Sequence, residues 1–231
     1  MDIQIESKPS YSMAVVTLDE GESFIAESGS MVAMSNSFDV DTTFNGRGTG
    51  FFDFLQALFV GLLRKFLAGE TLFVNTYRSK KKGSELMVAP AMVGDIVNVA
   101  VSEDKPFTVQ ATSFLASTTG VASDLIWGGF SMLFAKEGAF FLRCRGSGDL
   151  LINSYGAIEK VEVDGSYIVD SGHVVGFQGN LKYSIQRVGG WKATLLSGEG
   201  LVLSFSGQGT VWLQTRNMGS LVGWLTPMLP K

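Results

Sequence analysis

FIAESGSMVA, residues 24 to 33, returns in altered form as FTVQATSFLA at 107 to 116 and YIVDSGHVVG at 167 to 176. Phe24, Phe107 and Tyr167 align, as do Glu27, Gln110 and Asp170, and then Ser30, Ser113 and His173. Two further motifs recur in the same order. GETLFV, KEGAFF and GEGLVL bring Glu70, Glu137 and Glu199 into line, and GSELMVAP, GSGDLLINS and GQGTVWLQT do so for Leu86, Leu150 and Val211. From Phe107 to Tyr167 is 60 residues, from Glu137 to Glu199 is 62 and from Leu150 to Val211 is 61. A constant period over separate motifs marks an internal repeat, and a repeat constrains a fold more than any local propensity does.

Within each unit the pattern is that of strands. LFVNTY, AFFLRC, LVLSFS, LLINSY and VWLQT are short, rich in β-branched or aromatic residues, and bounded by Gly, Asp or Ser, which is the signature of strands and turns. Units of about 60 residues bury their own apolar faces poorly and gain by packing on one another. The expected fold is therefore all-β: three β-sandwich-like repeats with pseudo-threefold symmetry in one chain, plus a short helical insertion. A single domain is expected over 1–231, with repeats at about 10–90, 91–155 and 156–217, the insertion at 51–68 and an apolar tail at 218–231.

The interval from Phe24 to Phe107 is longer, 83 residues, and the excess falls on FFDFLQALFVGLLRKFLAGE at 51 to 70. Asp53, Gln56, Ala57, Gly61 and Arg64 make a narrow polar or small stripe at helical spacing, and the remaining face is apolar. Only ten residues separate Asp53 from Arg64, too few to span a bilayer. Three readings stand for this helix: it caps the β core, it forms a subunit interface, or it lies in a membrane surface. Phe51, Phe52, Leu55, Leu58, Phe59, Leu62 and Phe66 would make the interface or membrane contact. SDLIWGGFSMLF at 123 to 134 reads as a short helix capped by Ser123 and broken by Gly128 and Gly129. The tail GSLVGWLTPMLPK is expected to dock on its own domain or on a neighbouring subunit.

Composition narrows the partners. Only 17% of residues are charged while 45% are hydrophobic, against about 25% charged in ordinary soluble domains, so homo-oligomerisation is expected. A net charge of −4 gives no general attraction to phosphate backbones, which disfavours nucleic acid. The N-terminus MDIQIESKPS lacks the basic-then-apolar pattern of a secretory signal, and a cytoplasmic protein, with or without a peripheral membrane contact, is expected. One cysteine, Cys144, and one histidine, His173, exclude an internal disulfide and the usual zinc spacings.

Candidate chemistry is sparse. Glu27, Gln110, Asp170, Ser30, Ser113 and His173 could converge as an axial polar cluster and hold a small ligand, or simply fill tight axial space. No catalytic, cofactor or metal residues are assigned, and no Gly-x-Ser-x-Gly elbow accompanies His173. GRGTG at 46 to 50 lacks the Lys-Ser/Thr ending of a phosphate loop. Arg78, Lys80, Lys81 and Lys82 form a basic cluster, read as a solvated hairpin tip or an anion contact.

AGETLFVNTY, VAPAMVGDI, SFLAST, VDGSYIVDSGHVVGF, LKYSI and GQGTVWLQTRN, in this order and spacing, resemble a widespread family of bacterial and archaeal proteins of unknown function. Its eukaryotic member is a mitochondrial biogenesis (altered inheritance of mitochondria) protein linked to inner-membrane organisation. The resemblance covers about residues 1 to 217. It implies a fold like that of the tryptophan RNA-binding attenuation protein superfamily, and it supplies no catalytic set to carry over. Similarity to an RNA-binding fold does not imply RNA binding. The expected role is a non-catalytic scaffold or membrane-associated organising protein, the alternative a small-ligand or anion-binding module at the axis or in repeat-equivalent clefts.

Overall fold

Alternation of apolar and polar residues sets the first strands. In β2 (Met13–Leu18) the side chains of Ala14, Val16 and Leu18 turn inward, and in β3 (Ser23–Glu27) Phe24 and Ala26 do so, the period of two that leaves one sheet face buried. The computed structural model describes residues 1–44, 73–126, 141–187 and 201–229. The expected helix at 51–68 and its seven apolar residues, GRGTG, and Glu70, Glu137 and Glu199 lie outside the described residues.

The described residues form three antiparallel sheets. The first has β1 (Asp2–Glu6), β2, β7 (Ser84–Val88) and β4 (Met31–Met34) in that order. The second runs β5 (Phe38–Phe44), β6 (Phe73–Ser79), β3, β10 (Phe114–Thr118), β13 (Gly148–Asn153), β8 (Ile96–Val101). The third runs β11 (Val121–Ile126), β12 (Phe141–Gly146), β9 (Phe107–Gln110), β15 (Val174–Arg187), β16 (Leu201–Gln214), β14 (Ile158–Asp170). The chain is mostly β, as expected, and the three similar sheets fit a repeat-like arrangement.

Each of the larger sheets is shared between sequence units. At the joint in the second sheet, β10 pairs with β3, Ala116 opposite Ala26, Ser117 opposite Ile25 and Thr118 opposite Phe24. The corresponding joint in the third sheet sets β15 against β9, Gly176 opposite Val109, Phe177 opposite Thr108 and Gln178 opposite Phe107. In both joints the aromatic residue that opens the repeated motif faces the third strand position after a bulge. That bulge is Leu115 in β10 and Val175 in β15, where the pairing with β13 and β16 shifts by one residue. β4 has the same bulge, at Val32, in its pairing with β7.

Core packing follows the same exchange. Leu115 and Leu151 of the second unit are buried among Phe24, Ala26, Tyr77 and Leu86 of the first. Val175 and Trp212 of the third are buried among Phe107, Val109, Leu142 and Cys144 of the second. A third core gathers Phe141, Val169, Phe177, Leu203 and Phe205, with Phe177 edge-on to Phe205 at 5.2 Å and to Tyr183 at 5.1 Å. Gly176 permits the close approach of β15 to β9: a Cβ there would lie 2.5 Å from Cε1 of Phe107. Gly146 (φ +109) and Gly207 (φ +120), from the repeated GSG and GQG stretches, turn the strands through a left-handed conformation that favours glycine. Each approaches a carbonyl, of Gly120 and Asn180 respectively, too closely for a side chain.

One expectation needs correction and a second is narrowed. Ser123–Ile126 belong to β11 and pair with β12 rather than opening a helix, because Val121 and Leu125 pack on the second core and that burial overrides the cap signal; 127–134 lie outside the described residues. The tail forms a helix, α1 (Met218–Leu225), followed by a 3-10 turn, with no buried residue in either. It therefore does not dock deeply on its own chain. Lys80, Lys81 and Lys82 do sit at a hairpin tip, between β6 and β7, with Lys80 paired to Asp39.

Candidate functional site

The polar residues singled out by the repeat all fall at the turn that follows the repeated strand in each unit. Glu27 ends β3, Gln110 ends β9 and Asp170 ends β14, and each is followed within three residues by Ser30, Ser113 or His173. Ser30 Oγ donates to the Glu27 carbonyl at 2.7 Å. Asp170 accepts from the Gly172 amide at 2.8 Å, capping a 3-10 turn. Ser113 is buried in the equivalent 3-10 turn, and the buried Gln110 Oε1 has no hydrogen-bond partner among the described residues. These bonds are local to each turn.

His173 departs from its serine counterparts by reaching away from its turn. Its Nδ1 lies 2.7 Å from the Gln214 carbonyl and its Nε2 2.8 Å from Nδ2 of Asn217. A carbonyl can only accept and an amide NH2 can only donate, so the partners assign a neutral ring with the proton on Nδ1. Gln214 closes the loop: Nε2 donates to the Gly172 carbonyl at 2.8 Å and Oε1 accepts from the Tyr155 amide at 2.9 Å. Asn217 then caps α1, its Oδ1 accepting from the Ser220 amide at 2.7 Å. One histidine thus couples a turn, the end of β16 and the start of the tail helix.

Beside this network lies a cleft of about 350 Å³, lined by Tyr155, His173, Thr215, Arg216, Asn217, Ser220, Leu221 and Trp224. A cleft lined by a guanidinium and two aromatic side chains can take a carboxylate or phosphate and stack on a planar group. The cleft supplies no general base, because both His173 nitrogens are engaged. Cys144 is no nucleophile either: it is wholly buried, and burial, with the Asp124 carboxylate adding a smaller push, drives its thiol up to about 12. Among the described residues no three His, Cys, Asp or Glu side chains gather as a metal site. Tyr155, Arg216, Asn217 and Trp224 stand in the quoted strand, family and tail motifs without being assigned to a site; Asn217 ahead of MGSLVGWL is the one readable signal, as an N-cap.

The described residues also contain no helix long and apolar enough to cross a membrane. Among the described residues, outward apolar surface is found on the tail, where Met218, Val222, Trp224, Leu225, Met228 and Leu229 are exposed, and on β4 and the far half of β14.

Comparison with known proteins gives three concordant results. The family model described as mitochondrial biogenesis AIM24 matches residues 3–216. An uncharacterized protein from Streptococcus pyogenes is 29% identical over 233 residues, covering 100% of this chain and 92% of the relative. A crystal structure of a Streptococcus pyogenes protein superposes with a TM-score of 0.79 at 27% identity, over 99% of each chain.

Proposed function

The chain belongs to the mitochondrial biogenesis AIM24 family, and on that premise we propose that it is a non-catalytic scaffold or membrane-associated organising protein working through oligomer or membrane contacts. The observation that carries this reading is the tail: an eight-residue helix and the turn after it with no buried side chain, Trp224 being 62% exposed. Apolar surface of this kind on a chain with so few charges is a contact surface. The engaged histidine and buried cysteine are in keeping with a role outside catalysis.

Light scattering on the purified protein, together with flotation on vesicles of anionic and zwitterionic phospholipid, tests the reading. Assembly or flotation is expected, weakened by Val222→Ser, Trp224→Ser and Leu225→Ser in one chain. A monomer that ignores both vesicle types refutes it.

The cleft at Arg216 favours a second reading, an anion-binding module. Its measure is a concentration-dependent rise in melting temperature with phosphate or a small carboxylate, lost in Arg216→Ala.

A further inference from the structure

The two internal joints make a rule: the strand after the repeated motif's turn pairs with the strand before that turn in the preceding unit. β10 meets β3, and β15 meets β9. The rule leaves one member of each kind over. β4 pairs with β7 and stands at the edge of its sheet, and β14 pairs with β16 and stands at the edge of its own. Among the described residues neither has a second strand beside it.

Burial shows that both edges lack what their counterparts have. The bulge residues Leu115 and Val175 are 0% exposed, plugged into the neighbouring core, while Val32 is 56% exposed. Phe24 and Phe107 are 0% exposed, while Tyr167 is 39% and the adjacent Ile168 61% exposed. Leu151 and Trp212, which face the position after the bulge, are buried in the preceding core, while their counterpart Met87 is only half-buried. Accordingly, among the described residues, the third core receives none from the first unit.

We propose that β4 of one copy of this chain pairs with Ser166–Asp170 of β14 of a second copy, reproducing the internal joint between molecules. The register follows from the two observed joints: Ala33 opposite Val169, Met34 opposite Ile168 and Ser35 opposite Tyr167, with Val32 plugging the third core. The two surfaces differ, so the contact is head-to-tail and leaves a free edge at each end of a pair, which drives growth into a ring or a filament. This rests on the scaffold reading and gives it a specific surface.

The test uses two single variants in a Cys144→Ala background, Met34→Cys and Ile168→Cys, and the chain carrying both. Directly opposed strand residues place their Cβ atoms within disulfide reach. Under mild oxidation the mixed single variants are expected to give a disulfide-linked dimer and the double variant a ladder, while each single variant alone stays a monomer on a denaturing gel. A double variant that yields only an internally bridged monomer overturns the proposal, because the two edges then close within one chain. Assembly by light scattering without any cross-link in the mixture also overturns it, yet leaves the scaffold reading standing. Val32→Lys, on an exposed residue the isolated chain tolerates, is expected to abolish the ladder in the double variant; an unchanged ladder counts against the joint.

Discussion

Leu115→Ala, Val175→Ala and Val32→Ala place one perturbation at three equivalent bulges whose surroundings differ. Leu115 is wholly buried against Phe24, Ala26 and Tyr77, and removing its branched end forfeits the transfer of three carbons and leaves a cavity, at a cost of about 3 kcal/mol. For a chain of this size such a loss lowers Tm by about 6–12 °C. Val175, equally buried against the second core, loses two methyl groups, for about 2 kcal/mol. Val32 is more than half exposed, so at concentrations where copies are apart its truncation should cost less than about 0.5 kcal/mol. Urea unfolding at constant slope reads all three. If Val32→Ala costs as much as Val175→Ala in dilute monomer, Val32 is buried within its own chain and the reasoning about open edges fails. If instead its cost appears only as protein concentration rises, the missing neighbour is another copy.

Other perturbations test the fold and the site. Gly176→Ala forces a methyl group against the Phe107 ring and the Thr108 carbonyl and should destabilise by about 1–3 kcal/mol; a neutral result in the same urea assay would show that β9 and β15 can separate. Asn217→Ala removes the cap of α1 and the partner of His173 Nε2, so hydrogen exchange across Met218–Leu225 should accelerate while the global midpoint holds. Native Cys144 should resist thiol reagents at pH 8 and react once urea unfolds the chain. Its folded pKa lies above the unfolded value, so the unfolded state releases the proton first; stability is whole below pH 9 and falls as pH rises from 9 toward 12, by at most about 1.4 kcal/mol per pH unit for one proton. Cys144→Val should remove that share of the slope.

Phe24, Phe107 and Tyr167 are legible in the sequence because each lies three residues before the end of the strand that enters the same turn, and the GSG and GQG stretches because the corners at Gly146 and Gly207 need glycine. The exchange of strands between units was not legible. Equivalent strands carry the same apolar pattern, so periodicity cannot tell β10's pairing with a strand of its own unit from pairing with β3 of the unit before. Ser123 misled for a related reason: a capping residue also suits a strand once Val121 and Leu125 have a core to enter. Alignment alone groups His173 with Ser30 and Ser113, whereas its ring reaches Gln214 and Asn217, 41 and 44 residues further on. A lone cap signal before an apolar tail gave no warning of that link.

Sharing of cores between neighbouring units also governs how the chain can be made. During synthesis from the N-terminus, the first core stays open until Leu115 and Leu151 have left the ribosome, and the second until Val175 and Trp212 have done so. Neither of the first two units can finish folding when its own residues emerge, so each holds bare strand edges while it waits for the next. Truncation at a unit boundary therefore exposes a half-built core instead of releasing a smaller stable protein.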